Sequence, residues 1–200
     1  MRIENLLARK DKAMKGIVFT EFLQLVEEKF GYEMVDKLLL AAKTEHGGAY
    51  TAVGTYDHQE LIQLVVKLSE EVNIDTPELV KTFGSYLFKK FSVSYPGIFG
   101  SGQYNTFDFL QRVEEHIHVE VRKLYPDAEL PTFKYNKLND DTLEVIYQSS
   151  RPFADLCEGL ISECIVHFEE KISVQREDLA DDGTSAKFTL LKQSAGFASA

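Results

Sequence analysis

The chain has 200 residues, 44% of them hydrophobic, with a formal net charge of −10. That is one domain, or one domain with a small annex, and enough chain to enclose a ligand of cofactor size. The acidity argues against nucleic acid, which needs clustered Lys and Arg, and against adsorption to anionic membranes; solubility is its plainest role.

In chain order, the opening MRIENLLARKDKA lacks the apolar core of a secretory signal. No later run approaches the about 20 apolar residues of a membrane span, so the cytoplasm is the expected compartment. From Gly16 to Lys43 apolar residues recur at helical spacing (Val18, Phe22, Leu25, Val26, Phe30, then Val35, Leu38 and Leu39), with Gly31 separating two helices. Thr44 to Gly48 is a loop. Asp57 and Glu60 form a capping-box pattern opening a helix over Leu61–Glu71, and Thr76-Pro77-Glu78 starts another that runs through Phe91. SYPGIFGSGQYN is a loop, and Phe107 to Leu124 is helix again. After Pro126 the period changes. Thr132–Tyr135 and Thr142–Gln148 pair as a hairpin around Asn139-Asp140-Asp141, a helix follows from about Pro152 to Glu170, and Ile172–Gln175 and Lys187–Leu191 make a second pair. The order predicts an α+β fold: a mainly helical N-terminal part, then a four-stranded antiparallel sheet with one long helix between its strand pairs. The tail SAGFASA and part of the first thirteen residues are expected to be disordered.

Five histidines carry the candidate chemistry. His46 and His58 sit in or beside loops and read as solvated. His116 and His118 would share a face on a strand, but on a helix they diverge by about 200°. Phe107, Leu110, Val113, Ile117, Val121 and Leu124 fit a helical stripe. On that stripe His118 falls at the apolar edge, near Phe107 and Tyr125. His116 falls on the polar side, with Phe109 as its nearest apolar neighbour. An inward histidine is a satisfied core residue or a ligand, and periodicity leaves both open. Cys157 and Cys164, seven apart on one helix, are separated by about 10 Å of rise, too far for a disulfide. No CxxC exists, and both read as reduced core thiols. Tyr147, Ser149 and Arg151 alternate off the end of a strand onto one face, a donor-rich patch suited to carboxylates. A solvated strand end is the other reading of that patch.

Together these residues resemble the haem-nitric oxide/oxygen-binding (H-NOX) family, which occurs in bacteria and in soluble guanylate cyclase. Met14-Lys15-Gly16 is similar to the family's N-terminus. HIHVEVRKLYPDAELP resembles its proximal helix, with His118 at the ligand position and Pro131 thirteen residues on. Tyr147, Ser149 and Arg151 match the YxSxR motif, and Gly159 falls at the family's spacing after it. The resemblance spans about Met14 to Lys192, leaving residues 1–13 as an N-terminal extension, 14–192 as the haem-binding domain and 193–200 as a tail.

The resemblance implies haem b (heme b, protoporphyrin IX iron) between the helical and strand-rich parts. It implies His118 as the iron ligand, propionates held by Tyr147, Ser149 and Arg151, and Pro131 pressed on the ring. It places Val18, Phe22, Leu87, Leu156 and Leu160 in the distal pocket. Oxygen-binding members have a distal tyrosine where this chain has Leu156, and the supporting positions fall on Phe22 and Leu87. None of the three side chains donates a hydrogen bond. The expected behaviour is a sensor, not an enzyme, which binds nitric oxide and carbon monoxide and excludes oxygen. His118 would detach when nitric oxide binds, its helix would move, and the signal would pass to a separate histidine kinase or cyclic-di-GMP enzyme. Zinc is not expected, because the C-terminal strands lack the cysteines of the family's zinc-binding variant. The competing readings are a haem-based redox or thiol sensor using Cys157, a metal-dependent hydrolase on His116 and His118, and an interaction module without cofactor.

Overall fold

The structure is a computed structural model that describes residues 13–99, 104–126 and 128–193. The N-terminal part is helical. A three-residue strand β1 (Ala13–Lys15) leads into α1 (Gly16–Phe30) and α2 (Tyr32–Ala42), which meet at Gly31 as their spacing predicts. Strand β2 (Thr55–Asp57) pairs antiparallel with β1, Met14 opposite Tyr56. Two strands this short carry no alternation, so the sequence holds no sign of them. Next come α3 (His58–Val72), α4 (Thr76–Ser94) and a single turn, α5 (Pro96–Phe99).

Asp57 caps α3 by accepting from the Gln59 backbone N–H at 2.9 Å. The expected capping box fails at its other end. Glu60 turns inward instead and accepts from Tyr50 Oη at 2.9 Å, His46 Nδ1 at 2.7 Å and the His46 backbone N–H at 3.2 Å, tying the 44–50 loop to α3. His58 is likewise not solvated. It is 4% exposed, with its ring against Phe153 at 6.1 Å, because the segment after the YxSxR patch folds over the start of α3. His46 is exposed, as expected, though bonded to Glu60.

The predicted helix over 107–124 is three segments: α6 (Thr106–Arg112), a π-helical turn (Val113–Ile117) and α7 (His118–Leu124). Phe109, projected onto the polar side, is buried. Its ring stacks on Phe99 at 5.1 Å and meets Phe168 at 5.6 Å, because α5 and the end of the last helix cover that side.

The C-terminal part is the expected sheet and helix: β3 (Thr132–Lys137), β4 (Thr142–Gln148), α8 (Ala154–His167), β5 (Ile172–Asp178) and β6 (Ser185–Lys192). The strands form one antiparallel sheet in the order β3-β4-β6-β5. Alternation buries Leu143, Val145 and Tyr147 of β4 and Ala186, Phe188 and Leu190 of β6 on one face. Those residues form one core with Cys157, Ile161, Cys164 and Ile165 of α8. A second core joins α1 to α4 and includes Phe19, Phe22, Leu64 and Phe83.

The two cores meet where α4 crosses α8. A Cβ on Gly159 would lie 2.0 Å from the Lys81 carbonyl oxygen and 3.0 Å from the Gly84 Cα, so only glycine permits this approach. Among the described residues no helix is long and apolar enough to cross a membrane. The extension and tail expected at the ends lie outside the described residues, except that Ala13 already belongs to β1 and the Gln193 backbone N–H bonds Lys171 O at 2.8 Å.

Candidate functional site

His118 is the first residue of α7, directly after the π-helical turn. Its side chain is buried, the residue being 8% exposed, whereas His116 is exposed, so the two rings do not share a site. Nδ1 of His118 lies 3.0 Å from Oε2 of Glu114, whose Oε1 accepts from Nη2 of Arg122 at 3.1 Å. The carboxylate at Nδ1 assigns the imidazole proton to that nitrogen. Burial lowers the pKa of His118, with Glu114 pulling the other way, so the ring is neutral near pH 7. Burial opposes the Glu114 charge, but hydrogen bonds from Arg122 and His118 outweigh it and hold that carboxyl below its usual pKa. A neutral imidazole bonded at Nδ1 keeps the Nε2 lone pair for a metal.

Phe133 links this histidine to the patch of Tyr147, Ser149 and Arg151. Its ring centroid lies 5.7 Å from that of His118 and 5.9 Å from that of Tyr147. Pro131 is half-buried one residue before β3, the strand that carries Phe133. Tyr147 is buried on β4; burial pushes its phenol up to about 12, and its Oη donates to Arg151 O at 3.4 Å. Ser149 Oγ accepts from the Arg151 backbone N–H at 3.1 Å. Arg151 is only 4% exposed, and burial lowers its pKa against the opposing pull of Glu129 and Tyr147. Among the described residues its guanidinium acceptors are two main-chain carbonyls, Ala13 O at 2.5 Å and Glu129 O. A buried guanidinium without a bonded carboxylate is where a ligand carboxylate gains most. The donor set therefore fits haem: an imidazole for the iron and a phenol, hydroxyl and guanidinium for the propionates.

The expected distal residues also come together. Phe22 of α1 and Leu87 of α4 are 1% and 3% exposed, and Val18, Leu156 and Leu160 pack half-buried against the same core. The Phe22 ring meets Phe83 edge-on at 5.2 Å. This wall offers hydrocarbon only.

Glu114 and Phe133 are the site residues that sequence reasoning misses. A signal for Glu114 is present: it stands four residues before His118, with Arg122 four residues after, a spacing that places all three on one helix face. Two other features stand apart. An open cleft of about 570 Å³ lined by Pro77, Asp155, Arg176 and Asp182 contains none of the predicted site residues. Glu45, His46 and Glu60 bring possible metal-ligand atoms within 4.8 Å of one another, but the Glu60 oxygens already accept three hydrogen bonds from the loop they anchor.

A family profile described as Haem-NO-binding matches residues 15–176. The Fe(II) unliganded H-NOX protein from K. algicida is 41% identical, with a TM-score of 0.84 over 92% of this chain and 99% of that one. The Fe(II)CO H-NOX from Shewanella woodyi, solved with IWP-051 bound, is 43% identical, with a TM-score of 0.78 over 92% and 96% of the two chains. An H-NOX protein from S. oneidensis in the Fe(II)NO state shares the fold at 24% identity, with a TM-score of 0.82 over 90% and 99%. No match was found among curated proteins. The profile over most of the chain, the two relatives above 40% identity and a donor set that fits the cofactor agree, and the chain belongs to the Haem-NO-binding (H-NOX) family of haem-binding gas sensors.

Proposed function

We propose that the chain senses nitric oxide and carbon monoxide through a ferrous haem held by His118, and that it excludes oxygen. The observation that carries this reading is the distal wall, in which Phe22, Leu87, Leu156, Val18 and Leu160 present no hydrogen-bond donor. When bound, haem supplies an iron that takes up diatomic gases reversibly, and the polarity of the distal pocket decides among them. An oxygen ligand there would need a hydrogen-bond donor that these five side chains do not offer, whereas nitric oxide and carbon monoxide would need one far less.

His118 would hold the iron through Nε2, and Tyr147, Ser149 and Arg151 would bind the propionates. Pro131 would press on the ring beside β3, a contact through which the protein sets ring shape. Release of His118 would free the start of α7, and the exposed side chains of that helix (Val119, Glu120 and Lys123), with His116 of the turn before it, would carry the change outward to a separate histidine kinase or cyclic-di-GMP enzyme. The thiol reading has less support. Cys157 and Cys164 are buried, and burial pushes both thiols far above their ordinary pKa, away from the reactive thiolate. The divergence of His116 and His118 equally weakens the hydrolase reading.

The test is the absorption spectrum of the reduced, haem-loaded protein. Nitric oxide and carbon monoxide are expected to shift the Soret band, and air is expected to give no stable oxygen complex. A stable oxygen complex would overturn the selectivity. A protein still colourless after haem reconstitution would overturn the sensor.

A further inference from the structure

Glu114 has no role in the reading above, yet it is the group that holds His118. Three observations bear on it. Its carboxylate lies between two partners, with Oε2 at 3.0 Å from Nδ1 of His118 and Oε1 at 3.1 Å from Nη2 of Arg122. Glu114 sits inside the π-helical turn and His118 begins the α-helix after it, so both move with the same short stretch of backbone. Around them none of Val113 to Ile117 is fully buried, and the turn meets the core only through the half-buried Val113 and Ile117.

A carboxylate behind a metal-bound imidazole fixes the ring's tautomer and orientation and makes its other nitrogen a stronger donor. A guanidinium on the far oxygen of that carboxylate draws charge away from the imidazole and weakens this effect. We propose that Glu114, tempered by Arg122, is a positioning residue that sets how tightly His118 is held to the iron, and so how readily nitric oxide releases it. The inference rests on His118 being the iron ligand. It adds that the release threshold resides in a pair of charged side chains on the same helical stretch.

The test compares Glu114→Gln and Arg122→Met with the wild type as haem-loaded ferrous proteins, reading the iron–histidine stretching band by resonance Raman and the ferric/ferrous midpoint potential. Glu114→Gln removes the charge behind the imidazole, so the band is expected to fall, the potential to rise, and nitric oxide-driven loss of the iron–histidine bond to quicken by about ten-fold or more. Arg122→Met leaves the full carboxylate charge on His118, so both readings are expected to move the opposite way. A residue with only a structural role would move both variants in one direction, and that result overturns the inference, as does a band unchanged in both. A band that survives in His118→Gly instead defeats the ligand assignment, and the inference falls with it.

Discussion

The predicted distal wall and the histidine-bearing helix are built to opposite standards. The wall consists of long helices. α1, α4 and α8 have 15, 19 and 14 residues, and they pack around Phe19, Phe22 and Phe83, which are almost wholly buried. The α4–α8 crossing is closed to anything larger than glycine at Gly84 and Gly159. Ion pairs brace it from outside: Lys81 of α4 bonds Glu158 of α8, and Arg176 of β5 bonds Asp155 at 2.5 Å and Glu158 at 3.2 Å. The opposite side has two seven-residue helices joined by a π-helical turn with no buried residue. Helices that short are not stable alone, and π-helical turns are frequent at functional sites. A sensor needs one wall to hold the ligand's surroundings constant and another that can respond. The two sides differ in helix length and regularity in the sense that the proposed function calls for.

The comparison can be tested at either wall, and the largest effect is expected at the responsive one. His118→Gly should lose haem on purification, or retain it only with added imidazole, whereas His116→Ala should load normally; the ratio of Soret to protein absorbance reports both. On the rigid side, Gly159→Ala forces α4 and α8 apart and is expected to cost about 3 kcal/mol, or about 6–12 °C in melting temperature. A melt within about 2 °C of wild type would show that the crossing is looser than its geometry says. Leu156→Tyr puts a donor into the hydrocarbon wall and should raise oxygen affinity by up to about ten-fold, the worth of one hydrogen bond. Phe22 and Leu87 leave the new hydroxyl unsupported, so the gain should fall short of a full donor network; oxygen titration of the ferrous protein measures it.

The smallest effect concerns the anchor of the responsive helix. Oε2 of Glu170 accepts from the Thr106 backbone N–H at 2.6 Å and pins the start of α6 to the turn between α8 and β5. Burial raises the pKa of Glu170, but its bonds to Thr106 and Lys192 outweigh that and leave it lowered. A lowered carboxyl stabilises the fold above its unfolded pKa of about 4.3 and loses that contribution as pH falls through the folded value. Glu170→Gln should therefore cost about 1 kcal/mol at pH 7 and progressively less below pH 4. Melting curves across that range give the difference, and a constant penalty would show that charge is not what Glu170 contributes.

Much of this is legible in the sequence because it rests on local rules. The spacing of Phe22, Leu25 and Val26 marks α1, proline at the start marks α4, and alternation through Leu143, Val145 and Tyr147 marks β4 with its buried face. The helical projection separates His118 from His116 correctly. What escapes depends on contacts between distant segments. Phe109 reads as polar-facing because nothing in the 107–124 stretch says that α5 and Phe168 will cover it. His58 reads as a loop residue because Phe153, which buries it, lies 95 positions later. Glu60 fits a capping box by spacing, but a local bond to its own backbone loses to three bonds from the 44–50 loop. The π-helical turn leaves no mark because its one extra residue hardly disturbs a stripe read over so few turns.

The bond from Arg151 to the Ala13 carbonyl spans 138 residues of chain. Closing so long a loop carries a large entropy cost that only neighbouring contacts can offset. The guanidinium follows β4 in the chain and its acceptor lies on the first strand, so the bond requires both segments to be in place. If Arg151 holds a propionate as proposed, a settled cofactor would report that segments from both ends of the polypeptide have come together.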